Sequence, residues 1–471
     1  LDFVPNHTSD EHPWFVQSKS STSDPKRDWF LWRDPAPDRG PPNNWLSNFG
    51  GPAWTLDEKT GQYYLHSFLR QQPDVNWRNP EVRSAMYEAM RFWLRRGVDG
   101  FRVDVIYHFI KDAQFRDNPL NPDFKPGGDP AHRLLPAHTI DQPEVQQIVA
   151  EMRRVVEEFS TSDSARILIG EIYLPIDRLV AYYGQDQAGM LHGAQLPFNF
   201  HLIGVHWQAG AIDRLVRNYE AALPSGATPN WVLGNHDKSR IASRVGIEAA
   251  RLAAMLLLTL RGTPTLYYGD ELGMSDVPIP ADEVQDPFEK NEPGKGLGRD
   301  PERTPMPWTA EAPNAGFSAG KPWLRLSEDV RTRNVECQSN DEASMLTLYR
   351  RLLALRRQRA SLNQGAWEPV AAAGDVLAYT RIDGDERTLI VLNFGEAPAP
   401  LPPAVVLDHA QLLLSTALEH KGDWQPGDHL LPDEGVIFGQ SHGHLEKLLQ
   451  GMTSTNLHAE IDFNKAQGKE V

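Results

Sequence analysis

Three acidic residues close short apolar runs in this 471-residue chain: Asp104 ends "GFRVD", Glu171 ends "ILIGE" and Asp237 ends "VLGNHD". A charge beside a buried run is costly unless it is paired or solvated. Asp104 has a partner two residues earlier, Arg102, and residues i and i+2 of a strand share a face. A cation on that face favours the carboxylate, so the pair suits a nucleophile. Glu171 follows Gly170 at the end of an apolar run, where the neutral acid is favoured, and this suits a proton donor. A fourth polar end, "LDFVPNH", supplies Asp2, Asn6 and His7, and His236 stands directly before Asp237. One carboxylate that attacks, one carboxyl that gives and then takes a proton, and a further negative group near the reacting carbon are the needs of retaining α-glycoside cleavage.

Structural readings compete with this one. An Asp at a strand end also caps the helix that follows, and taken singly that is the ordinary explanation. Four polar strand ends together are hard to read as four caps. For His7 and His236 singly, a satisfied structural histidine balances a ligand contact. A metal centre built from His7, His236 and the acids lacks any local chelating spacing such as H-E-x-x-H.

Bringing these ends together is the task of the elements between them. "NPEVRSAMYEAMRFWLRRG" reads as an amphipathic helix, capped by Asn79, opened by Pro80 and stopped at Gly97. A rhythm of short apolar strand and amphipathic helix follows. "VDGFRVD", "ARILIGE", "GAQLPFNF", "NWVLGNHD" and "TPTLYYGDE" read as strands; "PEVQQIVAEMRRVVEEF", "PIDRLVAYYG", "AIDRLVRNYEAAL" and "IEAARLAAMLLLTLRG" read as helices. Such alternation predicts parallel strands with helical crossovers, and in a barrel of parallel strands the chemistry sits at the C-terminal ends. Residues 4 to 74 are rich in Pro, Asn, Asp and Trp with little periodicity, and read as a long irregular excursion. Beyond a polar loop (273–340) and the helix "MLTLYRRLLALRRQR", the runs "VLAYTRI", "RTLIVLNF" and "GVIFG" predict a small all-β domain.

Bulk properties remove other classes. The net charge of −16 argues against a nucleic-acid partner. Cys337 is the one cysteine, so neither an intrachain disulfide nor a cysteine metal site is expected. The longest apolar run, "LAAMLLLTL", is bounded by Arg251 and Arg261 and reads as a buried helix, not a membrane span. The chain opens without an initiator Met and is read as cytoplasmic. Its expected partner is a small-molecule oligosaccharide, and oligomeric state is left open.

"DFVPNH", "GFRVDV", "GEIY" and "VLGNHD", in this order, resemble the four sequence blocks of the α-amylase superfamily of glycoside hydrolases (family 13). "QPDVNWRNPEVR", "GTPTLYYGDELGM" and "GRDPERTPMPW" are similar to its α-glucosidase and oligo-1,6-glucosidase branch. The resemblance implies an α/β fold: a (β/α)8 TIM barrel over residues 1–3 and 75–360, a subdomain inserted after the third strand at 4–74, and a C-terminal all-β domain at 361–440. Residues 441–471 stay an unassigned tail. It further implies that Asp104 is the nucleophile, Glu171 the general acid/base and Asp237 the transition-state stabiliser. His7, Arg102 and His236 would contact the sugar in the −1 subsite. An Arg of the "GRDPERTP" block would hold the non-reducing glucose, with Arg299 preferred to Arg303. Val105, directly after the nucleophile, is similar to the apolar branched residue of members favouring α-1,6 links, where it would line the +1 subsite. The alternative to this use is that Val105 merely packs.

A family member would carry two strands and most of a third ahead of Leu1, so the chain is identified as an N-terminally truncated member. No cofactor is expected to be required, and calcium would enter only through that preceding segment. The activity implied is exo-acting α-glucosidase. Transglycosylation, sucrose isomerisation and trehalose synthesis use the same three acids. A non-catalytic barrel of the transporter heavy-chain type is the reading from another class, and such relatives lack the full acid set.

Overall fold

The fold is that of a computed structural model, which describes residues 1–440 apart from 312, 408, 409, 419–423, 425 and 426. The tail 441–471 lies outside the described residues. Among the described residues, six short parallel strands form the sheet, and four of them lead into the polar ends. β1 (Asp2–Phe3), β2 (Gly100–Val103), β3 (Ile167–Gly170) and β4 (Leu196–Pro197) lie side by side in chain order. β5 (Asn230–Val232) pairs in parallel with β6 (Thr263–Thr265), and a parallel bridge from Asn199 to Trp231 joins the two groups. Chain order equals spatial order because each crossover is a helix packed back on the sheet.

Register decides which side chains meet at the rim. Phe3 stands opposite Val103, and Val103 opposite Gly170. Asp104 and Glu171 are therefore the next residues on adjacent strands, and the Glu171 N–H donates to the Val103 carbonyl at 3.0 Å. At the other end of this pair the strands approach so closely that a Cβ on Gly100 would lie 2.2 Å from the Ile167 carbonyl oxygen. Glycine is required there.

Crossover helices begin and end where the residue types dictate. In the helix Pro80–Leu94 the Asn79 side chain accepts from the Glu81 N–H at 2.9 Å, and Val82, Met86, Met90 and Leu94 form one buried stripe. Gly97, at φ 91°, turns the chain away from it. From Leu252 onward the helix Ile247–Thr259 is buried all round because it is covered on both sides. Its Thr259 hydroxyl meets the Tyr379 hydroxyl at 2.6 Å, and Arg251 donates to the Thr416 carbonyl.

Those last contacts belong to a five-stranded antiparallel sheet of β7 (Ala366–Ala373), β8 (Val376–Asp383), β9 (Glu386–Asn393), β10 (Ala410–Ser415) and β11 (Gly435–Gln440), in the order β7-β8-β9-β11-β10. Its central strands are buried on both faces, which is why β8 and β9 read as continuous apolar runs. β7, a half-exposed edge strand, carries "AWEPVAAA" and gave no alternating pattern. The excursion of residues 4–74 is less irregular than its sequence suggested. It holds a helix, Pro13–Ser20, and a small antiparallel sheet of Trp32–Arg33, Trp54–Asp57 and Gln62–Leu65. Strands of two to four residues are too short to show a period.

Candidate active site

Arg102 is the hub of the site. Its side chain leaves β2 on the same face as Asp104, and Nη1 donates to Asp104 Oδ1 at 2.8 Å. Nη2 donates to Glu171 Oε2 on the neighbouring strand, so one guanidinium spans both acids. Asp2, across from Arg102 on β1, adds a third carboxylate at 3.4 Å. Burial works against the guanidinium's charge, but Glu171, Asp104 and Asp2 outweigh it and hold Arg102 firmly protonated.

Glu171 is 3% exposed. Burial raises its carboxyl pKa to about 8; the Arg102 charge pulls the other way, while the charges of Asp104 and Asp237 and a hydrogen bond with Asp104 add to the rise. The contact with Arg102 alone would argue for a carboxylate. Desolvation and two nearby anions win because the group is almost wholly removed from water. A buried carboxyl that favours its proton, sharing one cation with a second carboxyl, can serve as a proton donor.

Asp237 lies five residues beyond the end of β5 and is held differently. Arg299 Nη1 and Arg303 Nη2 both donate to Asp237 Oδ1 at 2.9 Å. Burial would raise its pKa, but His236, Arg299 and Arg303 together depress it. Arg299 is itself clamped by Asp286, through Nε at 2.9 Å and Nη2 at 2.8 Å, and its plane lies 4.6 Å from the centre of the Phe49 ring. Arg303 Nε donates to the His236 carbonyl at 2.6 Å. The choice between Arg299 and Arg303 is thus not an exclusive one: both reach the same oxygen. Asp286 gave no signal in the sequence, since only the folded loop brings it to Arg299.

His236 sits with Nε2 3.5 Å from Asp237 Oδ2, and burial lowers its pKa. His7 is close enough to Asp104 and Asp74 to feel their charges, but burial dominates and lowers its pKa as well. Gln72 Nε2 lies 3.0 Å from His7 Nε2, and the backbone bridge from His7 to Asp74 fixes the ring's position. Both imidazoles are therefore neutral near pH 7. Tyr107, fully buried, lies within the field of Glu171, Asp104 and Asp237, and burial first and these anions next keep its phenol protonated. The seven polar residues singled out in the sequence converge on one rim. Val105 also lies there, but its side chain is 7% exposed and packed in the main apolar core. Its backbone adopts φ 35°, ψ 46°, a strained conformation for a β-branched residue.

Beside His7 lies a buried ion pair that sequence reading missed. Lys111 Nζ is 3.1 Å from Asp74 Oδ2, with both side chains 1% exposed. It also donates to the His108 carbonyl. Asp74 accepts from the Ser67 N–H at 2.9 Å. The pair joins the excursion to the segment after β2. Among the described residues no group of three or more His, Cys, Asp or Glu could hold a metal ion, and no helix is long and apolar enough to cross a membrane.

Residues 1–365 match the alpha-amylase catalytic domain. The chain belongs to the α-amylase family of glycoside hydrolases. It is 37% identical to a salivary alpha-glucosidase of Anopheles gambiae, covering 94% of this chain and 78% of that one. It is 33% identical to an oligo-1,6-glucosidase of Parageobacillus thermoglucosidasius, covering 88% of this chain and 78% of that one. Among solved structures it is similar to the alpha-glucosyl transfer enzyme XgtA, with a TM-score of 0.84, 35% identity, and coverage of 93% and 82%. The strand order and the C-terminal antiparallel sheet are those of this family's (β/α)8 enzymes.

Proposed function

We propose that this chain is a retaining, exo-acting α-glucosidase that releases α-glucose from the non-reducing end of short α-glucosides through a covalent glucosyl–Asp104 intermediate. The observation that carries the reading is the Arg102 fork, which sets a guanidinium on the Asp104 carboxyl beside a Glu171 whose burial favours the acid. Asp104 attacks the anomeric carbon while Glu171 gives its proton to the departing glycosidic oxygen. Glu171, now a carboxylate, takes a proton from water, and that water displaces Asp104 from the sugar. Asp237 faces the positive charge that develops on the ring between these states. His7, Arg102 and His236 bind the −1 glucose, and Arg299 holds its non-reducing end from the rim. Val105 shapes the +1 side. The reaction draws on no cofactor, and chelators are expected to leave its rate unchanged.

The test is nitrophenol release from p-nitrophenyl α-glucoside by the chain and by Asp104→Asn, with the anomer of the first-formed glucose read by NMR. α-Glucose from the parent and loss of turnover in the variant are expected. β-Glucose as the first product would rule the mechanism out. A second reading, transfer of the glucosyl group to a sugar in place of water, uses the same intermediate and is favoured by the similarity to the alpha-glucosyl transfer enzyme. Isomerisation of sucrose and synthesis of trehalose are variants of that transfer. Longer products from concentrated maltose would mark it.

A further inference from the structure

β3, which ends at Glu171, and β5, which leads to Asp237, are not neighbours: β4 lies between them. No ladder of backbone hydrogen bonds therefore sets the distance between the two carboxyls. Asp237 is also five residues beyond the last ladder residue of its own strand, Val232, whereas the Asp104 and Glu171 N–H groups still bond to neighbouring strands. One side chain crosses the gap. Asn235 Oδ1 accepts from the Asp237 N–H at 3.0 Å, and Asn235 Nδ2 donates to Tyr173 Oη at 2.5 Å. Tyr173 stands two residues after Glu171. Its ring stacks on Phe200, just after β4, at 4.2 Å between centroids and 21° between planes. Phe200 and Phe198 pack in turn with Val232, the last residue of β5. An antiparallel bridge between Asn235 and Lys238 closes the turn that presents Asp237. The amide thus makes one hydrogen bond at each end, one to each of the two loops.

We propose that Asn235 and Tyr173 form a positioning pair that fixes the separation of Glu171 and Asp237. The inference rests on the roles proposed above for those two acids. Neither member needs to touch the reacting bond. Asn235 restrains the Asp237 loop from the Glu171 side, while Arg299 and Arg303 restrain it from the other. Phe200 keeps the Tyr173 ring from turning away. The pair does by side chains what a ladder does for Asp104 and Glu171.

The test uses the full chain with four variants: Asn235→Ala, Tyr173→Phe, both together, and Asn235→Asp. All rates are taken well below each variant's melting temperature. Tyr173→Phe keeps the stacked ring and removes only the acceptor oxygen, so it remains informative if Asn235→Ala unfolds. Misplacing a catalytic group by about 1 Å costs on the order of 100-fold in rate. Each single variant is therefore expected to lose about 10- to 100-fold in kcat, with KM within about threefold. The double variant is expected to lose no more than the worse single, because both break one link. Asn235→Asp adds a carboxylate near Glu171, whose other charged or titratable neighbours are Arg102, Asp104, Asp237, Tyr107 and Tyr173. Its alkaline limb of kcat/KM is expected to move to higher pH. Unchanged kcat in Tyr173→Phe and Asn235→Ala, losses that multiply in the double variant, or an unmoved limb in Asn235→Asp would each overturn the proposal. Glu171→Gln and Asp237→Asn serve as controls: if they keep the parent rate, the acid roles fail. If they lose it while Asn235→Ala and Tyr173→Phe keep it, only the positioning pair fails.

Discussion

Asp104 takes its guanidinium from two residues earlier in its own strand, at 2.8 Å. Asp237 takes two from a loop more than 60 residues further along, both at 2.9 Å. The first arrangement follows from the pleat of one strand and survives any change that leaves β2 in place. The second needs the loop from Asp286 to Arg303 to lie against Asp237, with Asp286 holding the guanidinium of Arg299 that reaches it. The Asp104 side is accordingly a local feature with a rigid base, and the Asp237 side is an assembly. Changes that loosen remote loops are expected to reach Asp237 first.

The largest expected effect removes the local side altogether. Asp104→Asn is expected to cut kcat by about 10⁴-fold or more, since the proposed covalent bond is to its carboxylate. Steady-state rates on an aryl α-glucoside beside a melting curve check it, and a folded variant with the parent's rate would dissolve the contrast drawn here. Next comes the buried Lys111–Asp74 pair. Lys111→Met leaves Asp74 charged and unpaired in the core, and a loss of about 3–5 kcal/mol is expected. Replacing both partners, Lys111→Met with Asp74→Leu, is expected to recover part of it, as chemical denaturation would report.

On the remote side, Arg299→Lys keeps the charge but loses the fork on Asp286. A fall in kcat/KM of about tenfold is expected, with a smaller fall for Arg303→Lys. Equal losses from Arg299→Lys and Arg102→Lys would remove the distinction between the two sides. pH separates them further. Glu171 is raised by burial to about 8, so the acid form persists through neutrality and kcat/KM is expected to fall as pH rises past that value. The same shift has a stability consequence. A carboxyl whose pKa is higher folded than unfolded lends most stability at low pH and loses it as pH rises through the folded value. Glu171→Gln is therefore expected to melt higher than the parent at pH 9 and nearly with it at pH 4. The smallest effect concerns Val105. Shortening it to Ala is expected to change the ratio of isomaltose to maltose hydrolysis by about tenfold, within the 1–3 kcal/mol that a methyl or two can supply.

The difference between the two sides is also a difference in legibility. Arg102 and Asp104 could be paired from their spacing, because a strand's period of two is fixed by the backbone. Glu171 could be read as a carboxyl held out of water from the glycine and apolar run before it. The crossover helices were legible from their periods and caps, as Asn79 and Pro80 show. The short strands of the excursion and the edge strand β7 were not, since two to four residues carry no period and an edge needs no alternation.

Sequence alone determined which residue types stand at the strand ends, the repeating strand and helix that place those ends on one rim, and the local Arg102–Asp104 pair. Each of these depends on neighbours within a few positions, where covalent geometry limits the choices. Only the tertiary structure decided that Arg102 also reaches Glu171, that Arg299 and Arg303 share one oxygen of Asp237, that Lys111 lies on Asp74, and that Asn235 spans to Tyr173. Those contacts join residues 37 to 69 positions apart. Their distances are set by how whole elements pack, and no spacing along the chain encodes them.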